Sequence, residues 1–148
     1  MLLLILSIGM IGLTVGIHAT GAAIWLRSLE HRLELDASAH KSPRLLSGIL
    51  STSIVLLMLH VLEAFLWALL YLALPAQAGL NNLHEAFYFS LVTFTTLGYG
   101  DLTLHSNWQL LAGIEGMVGI LVFGLTTALL FAVIQKSWKF NHPKPGAH

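Results

Sequence analysis

The chain has 148 residues, 56% of them hydrophobic and only 9% charged, with a mean hydropathy of +0.79. That leaves too little polar surface to cover a water-soluble globule, and room for a few membrane spans but for no separate ligand-binding domain. The net charge of +0 offers no basic surface for nucleic acid, and zero cysteines exclude disulfides, thiolate catalysis and cysteine metal sites.

The basic residues fall in two places: Arg27, Arg32, Lys41 and Arg44 in one segment, and Lys136, Lys139 and Lys144 near the C-terminus. By the positive-inside rule both are cytoplasmic, so the stretch from Pro75 to Asn107 is outside. An odd number of spans must then precede the first basic segment, which puts the N-terminus outside.

The first apolar run fills residues 1–26, enough to cross a hydrocarbon core of ~30 Å at ~1.5 Å per residue. No Lys or Arg precedes it, and its basic residues follow it, as in a retained helix rather than a cleaved signal. Gly9, Gly12, Gly16 and Ala19 or Thr20 form a small-residue stripe suited to close packing, with the next helix as a candidate partner, and His18 is an isolated polar residue within the span.

Residues 27–43 mix Leu29, Leu33 and Leu35 with charged neighbours, a pattern for an interfacial cytoplasmic helix. Ser42 and Pro43 suit an N-cap and first helical position for a second span over residues 44–74, which Pro75 ends. His60 and Glu63 are three apart on that span and share a face.

A short helix is expected over residues 82–95, with Asn82 as cap and Glu85 completing an approximate capping box. It leads directly into Thr93-Phe94-Thr95-Thr96-Leu97-Gly98-Tyr99-Gly100-Asp101. This stretch resembles the selectivity filter of potassium channels, whose usual form is Thr-Val-Gly-Tyr-Gly-Asp. The resemblance implies a re-entrant pore helix and a filter over residues 96–101. Thr96, Leu97, Gly98, Tyr99 and Gly100 would then bind the ion, with backbone carbonyls replacing the hydration shell of K+. The Tyr99 ring would brace the filter from behind, and a ring of Asp101 carboxylates would concentrate cations at the outer mouth. Leu97 departs from the usual valine and lacks its β-branch, which loosens the case for strict selectivity. His84 and His105 lie on the same outer side as candidate pH-sensitive groups.

The third span, residues 108–135, resembles the inner helix of small bacterial potassium channels over Gly119 to Ala128. By that resemblance Gly119 is a gating hinge, and Ile120, Phe123, Thr127 and Phe131 share the face that lines the cavity. Packing of the two aromatics against neighbouring helices is the competing reading. Glu115 on this span is expected to meet His60 and Glu63 in a polar cluster behind the filter, serving structure, proton-linked gating or, least favoured, metal binding. Residues 136–148 form a short cytoplasmic tail.

These readings combine into an all-α membrane protein with three transmembrane helices, a re-entrant pore helix and a filter per subunit. One filter strand cannot encircle an ion, so the resemblance implies a homotetrameric pore that conducts K+ passively. No cofactor and no catalytic residues are expected; the partners are further copies of the chain, membrane lipid and the permeant K+. The expected location is a plasma membrane, of the bacterial inner-membrane type. The alternatives are a weakly selective cation channel and a non-conducting sensor or regulatory subunit built on a pore module.

Overall fold

The computed structural model describes residues 1–38, 45–75, 79–105 and 108–141. They form four α-helices and, among the described residues, no strand: α1 (Leu2–Ser38), α2 (Leu45–Ala73), α3 (Leu83–Phe94) and α4 (Gln109–Asn141). Three of these contain stretches long and apolar enough to cross a membrane, Leu2–Arg32, Leu46–Ala73 and Gln109–Gln135. The fold is therefore that of an all-α membrane protein.

α1 continues without a break through Arg27 to Ser38, so the first part of the linker is a helical extension of the first span. α4 likewise continues past Gln135 to Asn141, into the segment expected to be a short tail. The proposed Ser42–Pro43 helix start lies outside the described residues.

In lipid, helices gain little from hiding apolar surface, so close packing and interhelical hydrogen bonds set the arrangement. α1 and α2 run antiparallel, as their contacts show. Thr14 accepts from Trp67 Nε1 at 3.0 Å, His18 meets Glu63 at 3.1 Å, and Trp25 Nε1 donates to Thr52 at 3.0 Å. The Leu2 end of α1 thus lies on the same side as the α2–α3 connection. Buried Ser7, Thr14, His18, Ala22 and Leu29 mark the docked face of α1, while Leu4, Ile5, Ile8 and Ile24 are exposed.

The Gly9, Gly12 and Gly16 stripe faces away from α2 and has no neighbour within 4 Å. Close approach occurs instead at Gly21, where an added Cβ would meet Leu59 at 2.7 Å.

The core lies where α3 inserts between α2 and α4. Ala64, Trp67, Ala68 and Tyr71 of α2 pack there with Ala86, Phe89 and Phe94 of α3 and with Leu111, Val118 and Val122 of α4. α3 starts as expected: the Asn82 side chain accepts from Glu85 N at 2.9 Å. Glu85 reaches back one residue further than a standard capping box, accepting from Asn81 N at 3.0 Å. That backbone N–H, foremost, holds the Glu85 carboxyl below its ordinary range.

Candidate functional site

The site begins where α3 ends. Thr95 is the C-cap, and Thr96 follows with φ 59°. Thr96 N donates to Thr93 O at 2.9 Å and Leu97 N donates to Val92 O at 2.9 Å. These two bonds are the Schellman pattern, which ordinarily places glycine in the left-handed position. Here that position holds a β-branched residue, at a cost of roughly 1–2 kcal/mol. Backbone strain of this kind is kept where the side chain has a task, and Thr96 brings a hydroxyl that glycine cannot supply.

The left-handed conformation then recurs at every second residue: Thr96 at 59°, Gly98 at 57° and Gly100 at 77°, with Leu97 and Tyr99 not in the positive-φ range. Alternating the sign of φ turns successive N–H groups to one side of the strand and carbonyls to the other. Two N–H groups of the strand point back to α3: Leu97 N and Gly98 N both donate to Val92 O, at 2.9 and 3.2 Å. Residues 95–101 are all exposed.

The Tyr99 ring is 67% exposed and finds no brace within its own subunit. The outer end of this strand is held instead by Tyr88 of α3, whose hydroxyl donates to Asp101 Oδ2 at 2.7 Å. That bond, and behind it the backbone N–H groups of Asp101 and Leu102, keep the Asp101 carboxyl below the usual carboxylate range. A cavity of about 300 Å³ lies beside the strand, walled by Tyr88, Val92, Gly98, Asp101 and Leu104. His105 closes the outer loop over Gly79, whose φ of 100° and lack of a side chain let the ring approach.

On α4, Gly119 is buried against the end of α3, where a Cβ would collide with the Phe94 carbonyl oxygen. Ile120, Thr127 and Phe131 are exposed on the face expected to line the cavity. Phe123 is 37% exposed on that face too, and its ring stacks on His60 with centroids 4.2 Å apart and lies near Phe94. Within the subunit it packs between α4 and α2.

A family model described as "Ion channel" matches residues 45–136, more than half of the chain. The chain belongs to this ion channel family. No curated protein and no solved structure matches it. The match covers α2, α3, the strand after it and most of α4; α1 lies outside it. With three apolar helices, this channel is a multi-pass membrane protein.

The expected polar cluster of the channel is in fact two separate networks, and Glu115 does not join His60 and Glu63. Glu115 instead accepts from the Tyr71 hydroxyl and contacts Ser90 Oγ, which also lies 2.6 Å from Ala64 O. It therefore ties α4 to α2 and to the middle of α3. The reason is depth: Glu115 is less than two turns into α4 and level with Tyr71, whereas Glu63 is two turns further down α2.

Glu63 turns toward α1. Its two oxygens meet His18 Nδ1 at 3.1 Å and His60 Nδ1 at 3.2 Å, and Thr126 of α4 meets both rings on their other nitrogens. His18, His60 and Glu63 are buried, with ligand-type atoms all within 4.8 Å of one another. A metal centre, however, needs ring lone pairs converging on one point, and the two imidazoles are stacked with 23° between their planes. Sequence reading missed His18, Thr126, Tyr71 and Ser90 as members of these networks. The available signal was the spacing of Ser7, Thr14, His18 and Ala22, which marks one face of an otherwise uniformly apolar helix.

Proposed function

We propose that the channel assembles as a homotetramer and conducts K+ selectively and passively through a filter built from Thr96, Leu97, Gly98, Tyr99 and Gly100. The observation that carries this reading is the alternating backbone of residues 96–100, glycine at two of its three left-handed positions and a hydroxyl-bearing threonine at the first. Four such strands around one axis would offer stacked rings of carbonyl oxygen in place of water. The exposed Tyr99 ring and the open cavity beside the filter are surfaces that neighbouring subunits would cover. Asp101, held ionised by Tyr88, would draw cations to the mouth. The positions of the basic residues support an orientation with the α1–α2 linker and the C-terminal segment cytoplasmic and the N-terminus and filter mouth outside, the expected membrane being of the bacterial inner-membrane type.

A weakly selective cation channel is the second reading, favoured by Leu97, which is unbranched at Cβ and 56% exposed. The test is flux from liposomes holding the purified full chain, with K+ or Na+ as the permeant ion and barium as blocker. Selective, barium-sensitive K+ flux from a four-subunit particle supports the proposal. Equal Na+ flux favours the second reading, and a monomeric or dimeric particle without flux overturns both.

A further inference from the structure

His18, His60, Glu63 and Thr126 form a closed ring of four hydrogen bonds: Glu63 to His18 Nδ1 (3.1 Å) and to His60 Nδ1 (3.2 Å), and Thr126 Oγ1 to His60 Nε2 (2.9 Å) and to His18 Nε2 (3.2 Å). Each edge needs one proton between its two heavy atoms. The threonine hydroxyl supplies one, leaving three for the two imidazoles and the carboxyl. That count fits a carboxylate with one imidazolium and one neutral imidazole, or a carboxylic acid with two neutral imidazoles. Both forms have zero net charge, the state that apolar surroundings accept at least cost.

The threonine makes the count strict. With a single proton, Thr126 can donate to only one Nε2 and must accept from the other. The two Nε2 atoms therefore share one proton between them. Loss of that proton leaves a net negative charge in the bilayer and one edge with two lone pairs facing each other. The edge that fails is a Thr126 edge, because the carboxylate can still accept from both Nδ1 atoms.

The ring joins three helices: His18 on α1, His60 and Glu63 on α2, and Thr126 on α4 about two turns beyond Gly119. We infer that it is a proton-binding site through which α1 and α2 hold the inner helix, and that deprotonation releases one of the two bonds on Thr126. The groups packed on it from other directions do not titrate: Phe123 of α4 stacks on His60, and Phe94 of α3 lies 6.1 Å from it. The next titratable groups, Glu115 and Tyr71, are engaged with each other and with Ser90. The consequence for conduction rests on the proposed channel function; the proton count and the hold on α4 do not.

The test uses the full chain in lipid bilayers with 15N-labelled histidine, the two signals being identified by their loss in His18→Phe and His60→Phe. At neutral pH the two Nε2 atoms should carry one proton, seen as one protonated and one bare signal or as their average. Zero or two protons would overturn the site, as would movement of both signals on adding one equivalent of Zn2+. The chain has no native cysteine, so a spin label at Ile134→Cys reports distances between α4 helices of neighbouring subunits. Those distances should shift over the pH range in which the Nε2 proton is lost, and Thr126→Val should abolish the shift. Unchanged distances across the titration would overturn the coupling. Neither readout depends on ion flux, and the proton count does not depend on assembly either, whereas the spin-label distances rest on the proposed homotetramer; a non-conducting assembly would count against the channel reading alone.

Discussion

Gly119 of α4 lies directly against the carbonyl of Phe94, the last residue of α3, so that any Cβ at 119 would overlap that oxygen. The contact sets how deeply α3 can seat, and it demands glycine whether or not α4 bends there. Gly119→Ala should displace the end of α3 by overpacking, at a cost of about 1–3 kcal/mol. Flux should fall at least tenfold, with a lower melting temperature in detergent, whereas Gly124→Ala, which has nothing within 4 Å, should leave melting unchanged.

Thr96 occupies a left-handed position that costs a β-branched residue roughly 1–2 kcal/mol. Replacing it with glycine relieves that strain but adds about 0.5–1 kcal/mol of unfolded-state entropy. Thr96→Gly should therefore melt no lower than the parent while losing K+ over Na+ preference. A clear drop in melting temperature would mean that the hydroxyl serves folding rather than the ion.

The Tyr88–Asp101 hydrogen bond lowers the Asp101 carboxyl below its usual range. A carboxyl lowered by folding stabilises the fold above its ordinary pKa, and that contribution is lost only as pH falls through the lowered value. Flux should thus withstand outside acidification through the ordinary aspartate range. In Tyr88→Phe the acid limb should move to higher pH, as read by titrating flux against external pH.

Ser90 Oγ has one proton but contacts both Ala64 O and Glu115. The second contact is completed if Glu115 carries a proton of its own and donates to Ser90 while accepting from Tyr71. An amide can reproduce that pattern. Glu115→Gln should retain flux within about twofold, while Glu115→Ala should destabilise by about 1–3 kcal/mol by leaving the buried Tyr71 hydroxyl without a partner. Equal loss in both variants would show that an ionised carboxylate is needed.

Much of this architecture was legible in the chain. Asn82, Glu85 and the Thr96–Asp101 run carry local signals, since caps, left-handed turns and hydrogen-bonded helix ends are built from neighbours in sequence. The partners of Glu63 and Glu115 were not legible, because each depends on the relative depth of helices far apart in the chain. His18 pairs with residues 42 and 45 positions away, and the stripe of Ser7, Thr14 and His18 marks a docked face of α1 without saying which residues of α2 and α4 it meets. Thr126 looks like an ordinary helix threonine until the imidazoles on either side of it are seen. Gly119 was legible as unusual, but its close contact with Phe94 was not.

The central claim is most directly tested by the reversal potential of currents through the purified protein in planar bilayers, with K+ on one side and Na+ on the other. A selective tetrameric filter predicts a reversal strongly displaced toward the K+ equilibrium potential, with barium block and no current in Gly98→Ala. A reversal near zero, or currents that persist unchanged in Gly98→Ala, would contradict it.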